Sequence, residues 1–425
     1  MKTTVVNKRY EDVIALPKEK RFKPMKQSMF FRVLLKVASS FDLAAAHFKC
    51  NKIGMEQLKS DEPCLVLMNH SSFIDLEIVA SVLFPRKFNI VATNDSFMGI
   101  MKWLMRLIGC IPTSKFVTDT RLIRDMMYCV NELKSSVVMY PEASYSFDGT
   151  ATPLPDSIGR FIKMLGVPVV MVRTYGAFSR QPLYNCLRKR KVQVTADMKY
   201  VLSAEDVAVK SADEINEIIN KEFDFDNFKW QQENKICINE PERAEGLNRV
   251  LYKCPNCKTE GKMIIKGTEL ICQECGKGYE LTEYGYLKAK KGDTEFDHIP
   301  DWYRWQRECV KEEIQKGTYL LDVPVDICMM VNMKAIYRVG EGKLTHTSEG
   351  FHLTGCDGRL DYKQKPSASY SLYSDYFWYE IGDVICIGDN KALYYCFPKA
   401  GGDIVAKTRL AAEEMYKLAK QSKNI

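Results

Sequence analysis

A polar cluster directly after an apolar run is the first place where this sequence could do chemistry. Residues 69–75 read Asn-His-Ser-Ser-Phe-Ile-Asp and follow Pro63–Met68, a predicted strand, while opening a segment with helical periodicity. Ligand sites in open α/β sheets lie beyond the carboxyl ends of strands, where His70 would sit. A carboxylate at Asp75 can hold the imidazole Nδ1–H and leave Nε2 free to accept a proton from a bound hydroxyl. The cluster predicts general-base chemistry on an alcohol; the alternative is a helix-capping histidine beside a solvated aspartate.

A second polar cluster follows another apolar run. Tyr140-Pro141-Glu142-Ala143-Ser144 comes after the strand-like residues 136–140. Two strands that each end in a polar cluster would bring those clusters to one edge of a sheet, which favours a shared site. Glu142 follows a proline in a stiff turn, where it could bind substrate hydroxyls or balance charge. The alternative is a surface turn glutamate.

Together the two clusters resemble the lysophospholipid acyltransferase family, which includes the 1-acylglycerol-3-phosphate acyltransferases. The family's first motif, N-H-x4-D, is matched by Asn69, His70 and Asp75. Its third motif, F-P-E-G-T-R-S, is met by residues 140–146, which read Tyr-Pro-Glu-Ala-Ser-Tyr-Ser. Its second motif, G-x-x-F-I-D-R, aligns with residues 109–115, and its fourth, V-P-V, with residues 167–169.

The resemblance implies a mixed sheet flanked by helices and transfer of an acyl group from acyl-CoA or acyl-carrier protein to a lipid hydroxyl. The implied acceptor is a lysolipid, 1-acylglycerol 3-phosphate, which would give phosphatidic acid. His70 would be the general base and Asp75 its orienting partner. The residues expected to contact substrate are Asn69, Lys115, Glu142, Ser144 and Arg173.

Two departures from the family pattern concern acceptor binding. Lys115 and Tyr145 stand where the family has arginines. Arginine binds phosphate with a planar bidentate fork, whereas lysine is a point charge and tyrosine carries no cation. Either another cation, for which Arg173 is the candidate, binds the phosphate, or the acceptor lacks glycerol phosphate. The alternatives to the leading interpretation are an acyltransferase for another lipid and a catalytically inactive lipid-binding adaptor.

Four cysteines in two C-x2-C pairs predict a metal site. Cys254 and Cys257 are separated by fourteen residues from Cys272 and Cys275. Each pair can supply two thiolates to one tetrahedral ion, which is typical of a structural Zn²⁺ site in a zinc ribbon. Iron in a rubredoxin-like site and two disulfides are the alternatives. The chain has fifteen cysteines and no secretory apolar region near its start, so we expect a reducing compartment.

Changes in composition divide the chain into five parts. They are an N-terminal membrane-associating segment (1–60), an α/β acyltransferase domain (61–235), a zinc ribbon (236–295), a helical linker (296–321) and a C-terminal domain (322–425). The last part reads as short antiparallel strands closed by a helix over residues 403–421. This pattern resembles a pleckstrin-homology or GRAM-like β-barrel, which would contact lipid surfaces or proteins or simply stabilise the chain.

The charge pattern predicts a peripheral membrane protein. Residues 1–60 contain thirteen basic and five acidic residues, and the chain as a whole has a net charge of +7. A basic stretch beside the amphipathic segment 29–48 suits the surface of an anionic bilayer; the alternative is a helix that packs on the following domain. No uncharged apolar stretch approaches the ~20 residues that cross a bilayer. We therefore expect a cytoplasmic protein on the inner face of the membrane, and no nucleic-acid partner because the net charge is mild.

Overall fold

The computed structural model describes residues 5–18, 22–99, 101–117, 119–399 and 404–422. Lys2, Glu19, Lys20 and Arg21 of the predicted basic segment lie outside these ranges. The N-terminal part contains β1 (Val5–Asn7), α1 (Tyr10–Ile14) and α2 (Met29–Ala45). β1 pairs in parallel with residues 336–338 of the C-terminal region, so the two ends of the chain share one sheet.

A seven-stranded mixed sheet with helices on both faces forms the α/β domain, residues 49–233. Its strands are β2 (Lys49–Ile53), β3 (Leu65–Met68), β4 (Phe88–Thr93), β5 (Cys110–Thr113), β6 (Ser136–Met139), β7 (Val169–Tyr175) and β8 (Thr195–Leu202). Its helices are α3 (Ile74–Val82), α4 (Met101–Leu107), α5 (Thr120–Asn131), α6 (Ile158–Leu165), α7 (Ala177–Arg180), α8 (Ala204–Val209), α9 (Ala212–Phe223) and α10 (Asn227–Glu233).

The order of strands in this sheet is β2-β8-β7-β3-β6-β4-β5. The five strands from β7 to β5 are parallel, while β8 runs antiparallel to β7 and carries β2 in parallel. The central strand β3 is buried along its whole length because helices cover both faces of the sheet. One face packs against α2 and α3, and the other against α5, α6 and α9. The predicted α/β domain with a mixed sheet is confirmed.

A small cysteine-rich region follows the α/β domain. It contains α11 (Leu247–Val250) and four short antiparallel strands, β9 (Met263–Lys266), β10 (Glu269–Cys272), β11 (Gly278–Leu281) and β12 (Leu287–Ala289). α12 (Ile299–Gln315) then runs to the C-terminal region and begins with a proline, Pro300, in its first turn.

The C-terminal region is an antiparallel sheet with a long helix, and we call it the C-terminal domain (residues 321–422). Its elements are β13 (Leu321–Met330), β14 (Ile336–Thr347), β15 (Gly350–Gly355), β16 (Leu360–Gln364), β17 (Tyr373–Trp378), β18 (Gly382–Gly388), β19 (Leu393–Pro398) and α13 (Ile404–Gln421). The strand order is β16-β15-β14-β13-β19-β18-β17. Among the described residues no ladder joins β16 to β17, so strand pairing there does not close a barrel. Asp403 of the predicted final helix lies outside the described residues.

The C-terminal domain packs directly on the α/β domain. Met98 and the partly buried Phe116 and Val117 of the α/β domain join an apolar cluster with side chains of β13, β17, β18 and β19. The rings of Phe147 and Tyr376 lie 4.7 Å apart across the same interface. This packing brings C-terminal residues to the loops at one edge of the seven-stranded sheet. No helix in the described ranges is long and apolar enough to cross a membrane.

Candidate active site

The polar clusters meet at the carboxyl edge of the seven-stranded sheet. β3 pairs in parallel with both β6 and β7, so the residues that follow these three strands lie at the same edge of the sheet. His70 follows β3, Glu142 follows β6, and Thr174 is near the end of β7. Hydrogen bonds join the three segments, as the parallel order of the strands predicts.

His70 and Asp75 form the pair that the sequence predicts. Asp75 lies in the first turn of α3, and its Oδ2 is 3.0 Å from His70 Nδ1. The same oxygen accepts the backbone N–H groups of Ser71 and Ser72 at 2.8 and 3.1 Å. These bonds hold the carboxylate in place, and Nδ1–H donation to it leaves Nε2 as the proton acceptor. Burial lowers the pKa of His70, and the Asp75 carboxylate opposes that change, so burial favours the neutral form of the imidazole.

Glu142 connects the two loops instead of projecting toward solvent. Its Oε2 accepts the backbone N–H of His70 at 2.8 Å. Its Oε1 accepts the backbone N–H and hydroxyl of Thr152 at 2.8 and 3.2 Å. Burial raises the pKa of Glu142 to about 7, although the bonds from Thr152 and His70 oppose this rise. Both carboxylate oxygens are thus occupied by the protein itself, which gives Glu142 a positioning role.

Asn69 also bonds to the protein. Its Oδ1 accepts the backbone N–H of Thr174 at 2.8 Å and the Thr174 hydroxyl at 3.2 Å. Its Nδ2 donates to the Thr174 carbonyl and to Ser71 Oγ. Asn69 therefore ties the end of β3 to β7 and fixes the backbone from which His70 projects.

Two tyrosines enclose the imidazole. The ring centroids of Tyr140 and Tyr145 each lie 4.3 Å from that of His70. The His70 side chain keeps 17% of its surface exposed, so one edge of the ring is open. Between the two tyrosines, Ala143 has a φ of 55°, a left-handed conformation that favours glycine, the residue of the family motif at this position. The sequence analysis did not identify either tyrosine as a site residue.

Lys115 faces the C-terminal domain. Its Nζ lies 4.4 Å from the centroid of the Tyr373 ring. Burial lowers the pKa of Lys115, while the charges of Asp375 and Asp95 oppose that shift. Lys115 follows β5 by two residues, at the same edge of the sheet as His70, and its charge lowers the pKa of His70.

The hydroxyl of Ser144 accepts a hydrogen bond from a residue of the C-terminal domain. Arg409 of α13 donates from Nη2 to Ser144 Oγ at 2.9 Å and from Nη1 to the carbonyl of Tyr145 at 3.2 Å. Sequence reasoning missed Arg409, because it lies 265 residues from Ser144 and no local motif surrounds it.

Arg173 is not brought to this cluster. Its Nε donates to the carbonyl of Glu222 at 2.9 Å, near the end of α9 on the other face of the sheet. Thr174 faces Asn69, and successive residues of a strand point to opposite faces, so Arg173 must face α9. The cation expected to replace the family arginine therefore lies on the wrong side of the sheet for this cluster.

Comparison with known proteins agrees with this geometry. The Acyltransferase family model matches residues 49–174, the stretch that contains His70, Asp75, Lys115 and Glu142. This part of the chain is therefore similar to the acyltransferase family. Curated relatives include chloroplastic 1-acyl-sn-glycerol-3-phosphate acyltransferases of Brassica napus and Arabidopsis thaliana, each 30% identical over 139 residues, or 32% of this chain.

The likeness covers only part of each protein. The chain matches 40% of the Brassica napus relative and 38% of the Arabidopsis thaliana relative. A solved structure, the 1-acyl-sn-glycerophosphate acyltransferase PlsC from Thermotoga maritima, is 16% identical with a TM-score of 0.35. That likeness covers 45% of this chain and 76% of the solved one.

Outside the acyltransferase domain, the four predicted cysteine ligands come together. Their sulfur atoms all lie within 4.8 Å of one another. Cys254 Sγ is 3.7 Å from Cys275 Sγ, and Cys257 Sγ is 3.6 Å from Cys272 Sγ. A tetrahedral ion with Zn–S bonds of about 2.3 Å requires sulfurs roughly 3.8 Å apart. The cluster thus fits a metal ion, and the separations are too long for disulfides, which is consistent with free thiols.

Proposed function

We propose that the protein is a 1-acylglycerol-3-phosphate O-acyltransferase that makes phosphatidic acid. The observation that carries the proposal is the His70–Asp75 pair inside a domain of the acyltransferase family. The names of the curated relatives support lysophosphatidate as the acceptor. We take the acyl donor to be acyl-CoA or acyl-carrier protein. Both carry the acyl group as a thioester.

In the proposed reaction, His70 Nε2 removes the proton from the acceptor hydroxyl as its oxygen attacks the thioester carbonyl. The new C–O bond forms, the C–S bond breaks, and the proton passes from the imidazolium to the leaving thiolate. Asp75 keeps Nδ1 protonated and stabilises the imidazolium while it exists. Asn69 and Glu142 hold the backbone of His70 so that Nε2 stays directed at the acceptor.

We propose that Lys115, one of the predicted substrate-binding residues, binds the phosphate of the acceptor. Lys115 follows β5 at the same edge of the sheet as His70, whereas Arg173 bonds to α9. A partly buried ammonium attracts a phosphate more strongly than an exposed one, because little water screens the interaction. A lysine gives less geometric selectivity than the family arginine, so acceptors with other anionic head groups are also substrates to test.

The exposed face of α2 supports docking on a membrane through apolar contacts. Phe30, Val37 and Phe41 project to the outside with 69%, 52% and 74% of their surfaces exposed. The basic residues of this helix point the other way: Arg32 donates to the carbonyl of Pro85, and Lys36 donates to Ser81 Oγ at 2.6 Å. A helix that shows apolar residues outward and directs its cations inward is suited to an apolar partner.

Additional features agree with a membrane-facing surface. Trp103 and Leu104 of α4 are exposed, and so is Phe73, which lies edge-on to Tyr145 next to the site. Lys23 and Lys26 precede α2 and are exposed, so they can contact anionic head groups. We therefore assign the protein to the inner, cytoplasmic face of a membrane as a peripheral protein. A lipid-surface role for the C-terminal domain, as in pleckstrin-homology or GRAM-like domains, stays a prediction.

The cysteine cluster is proposed as a structural Zn²⁺ site in a zinc ribbon. Cys254, Cys257, Cys272 and Cys275 would fill all four positions of a tetrahedral ion, which leaves none for a substrate. The ion would supply folding energy to this region and hold its two C-x2-C pairs together.

The test is an acyl-transfer assay on the purified full-length protein. Acyl-CoA and acyl-carrier protein thioesters are each paired with lysophosphatidate, glycerol 3-phosphate, lysophosphatidylcholine and monoacylglycerol. We expect the fastest transfer to lysophosphatidate. His70→Ala should lower turnover by about 10²–10⁴-fold with an unchanged circular dichroism spectrum, because loss of a positioned base typically costs that much. Transfer by His70→Ala at the wild-type rate would exclude the direct-base mechanism, and no transfer to any acceptor would favour a lipid-binding adaptor.

A further inference from the structure

The loop that contains Glu142 is held in place from outside the acyltransferase domain. Tyr370 of the C-terminal domain donates from its hydroxyl to the carbonyl of Pro141 at 3.0 Å. Arg409 donates to Ser144 Oγ at 2.9 Å and to the carbonyl of Tyr145 at 3.2 Å. Three hydrogen bonds from the C-terminal domain therefore reach the short segment between β6 and residue 146.

The same loop supports the imidazole on the opposite side. Glu142 accepts the backbone N–H of His70, and the rings of Tyr140 and Tyr145 enclose the imidazole. Arg409 bonds to the backbone of Tyr145 itself, so one residue links the guanidinium to a ring whose centroid lies 4.3 Å from that of His70. A displacement of this loop would move Glu142, which accepts the backbone N–H of His70. It would also move Tyr145, whose ring lies against the imidazole.

Arg409 is in turn fixed by a buried network. It is 3% exposed, and its Nε donates to Glu413 Oε1 at 3.2 Å. Glu413 also accepts from Ser371 Oγ at 2.6 Å and from Arg307 of α12 at 2.7 Å. The guanidinium carbon lies 4.5 Å from the centroid of the Phe147 ring. A buried charge with this many partners has one geometry, which is what a residue needs if it is to hold another group in place.

We propose that Arg409 is a positioning residue for acyl transfer, supplied to the acyltransferase site by the C-terminal domain. It fixes the Pro141–Tyr145 loop and, through Glu142 and Tyr145, the orientation of His70. This inference rests on the proposed function. It gives the C-terminal domain a direct part in the reaction, and it predicts that the acyltransferase domain by itself is poorly active.

The competing explanation is that Arg409 only helps to attach α13 to the rest of the protein. The helix offers a matched control for that role. Lys407 lies two residues away and pairs with Glu260 of the cysteine-rich region at 2.8 Å and with Glu313 of α12 at 2.7 Å. Its contacts attach the same helix without touching the Pro141–Tyr145 loop.

The experiment compares Arg409→Ala, Arg409→Lys, Lys407→Met and wild type in the full-length protein, with lysophosphatidate and monoacylglycerol as acceptors. We expect Arg409→Ala to lower kcat on the order of 10- to 100-fold with both acceptors and to leave their KM nearly unchanged, because misplacement of a catalytic group lowers kcat. Arg409→Lys should be intermediate, and Lys407→Met should keep the wild-type kcat.

Chemical rescue provides a second measurement. Arg409 lines a cavity of about 410 Å³ beside Phe147 and Thr152, through which a small cation can enter. Guanidinium chloride well below denaturing concentrations should raise kcat of Arg409→Ala, and an equal concentration of sodium chloride should not. If Arg409→Ala does not fold, Tyr370→Phe removes one bond to the same loop, and a several-fold lower kcat is expected.

Each outcome decides the matter. A wild-type kcat in Arg409→Ala or Tyr370→Phe, or equal losses in Arg409→Ala and Lys407→Met, would overturn the inference. A KM effect confined to lysophosphatidate would also overturn it and would make Arg409 a phosphate ligand instead. A wild-type protein without transfer to any acceptor would refute the proposed function, whereas an active wild type with an unaffected Arg409→Ala refutes only the positioning role.

Discussion

The carboxylate of Glu142 accepts the backbone N–H of His70 at 2.8 Å, although the two residues are 72 positions apart. This bond joins the loops after β3 and β6 at the edge of the sheet. The other carboxylate oxygen accepts the backbone N–H of Thr152, so both oxygens of Glu142 are hydrogen-bonded to the protein. The side chain is also buried. Burial of a carboxyl group has consequences for stability that can be measured.

We predict that Glu142 makes the protein less stable as the pH rises. Its pKa is raised from 4.5 to about 7 by burial. A carboxyl group with a raised pKa in the folded state contributes full stability below pH 4.5, and that contribution is lost as the pH rises to 7. Glu142→Gln removes this titration. The difference in free energy of unfolding between wild type and Glu142→Gln should shift by up to about 3 kcal/mol over that range.

Denaturant unfolding at pH 4.5, 5.5, 6.5 and 7.5 would measure this difference. Glu77 and Asp375 also have pKa values raised to about 7 by burial, so the wild-type profile alone contains several contributions. The comparison with Glu142→Gln isolates one of them. Parallel profiles for the two proteins would contradict the prediction.

Substitution of Lys115 should raise KM for phosphate-containing acceptors and leave KM for neutral acceptors unchanged. We expect Lys115→Met to raise KM for lysophosphatidate by about 10- to 100-fold, since a hydrogen bond to a charged group is worth about 1.5–3 kcal/mol. KM for monoacylglycerol should not change, and Lys115→Arg should retain most of the affinity. Steady-state kinetics with both acceptors would test this, and equal effects on both would remove Lys115 from the phosphate site.

Metal analysis should find about one Zn²⁺ per chain in natively purified protein. Closed tetrathiolate sites hold zinc tightly and contribute folding energy. Cys257→Ser or Cys272→Ser should therefore lose the ion and lower the melting temperature. Cys237→Ser is the matched control, because Cys237 is exposed and lies outside the cluster. A fully folded, metal-free sample with four titratable thiols would contradict a zinc site.

Replacement of the exposed apolar side chains of α2 should weaken membrane binding without affecting the fold. The triple variant Phe30→Ser, Val37→Ser, Phe41→Ser should sediment less with anionic vesicles and keep the wild-type melting temperature. Binding by wild type should fall with salt, because the Debye length shortens to about 3 Å at 1 M.

Val209→Ser provides the control for surface hydrophobicity. Val209 is 86% exposed at the end of α8, on the face of the sheet opposite α2. Point substitutions are preferable to an N-terminal deletion, which would also remove β1 from the C-terminal sheet. Equal vesicle binding by the triple variant and Val209→Ser would shift the search for a membrane contact to another surface.

Features that depend on neighbouring residues could be predicted from the sequence. His70 and Asp75 are five residues apart across the start of a helix, so their pairing follows from local geometry. Each C-x2-C pair is likewise a local turn, and the apolar runs 63–68 and 136–140 predicted β3 and β6 because buried parallel strands must be apolar on both faces. Alternation along β7 even contained the signal that Arg173 faces away from Asn69.

The distant groups that complete the site could be identified only from the folded protein. Arg409 meets Ser144 across 265 residues, and Val5–Asn7 pairs with a strand more than 300 residues later. No periodicity or motif encodes such contacts, because they depend on how separately formed elements pack. The same packing gave the Glu142 carboxylate and the Ser144 hydroxyl hydrogen-bond partners within the protein. The local sequence specified the His70–Asp75 pair, whereas the packing of the C-terminal domain on the α/β domain specified which distant side chains surround it.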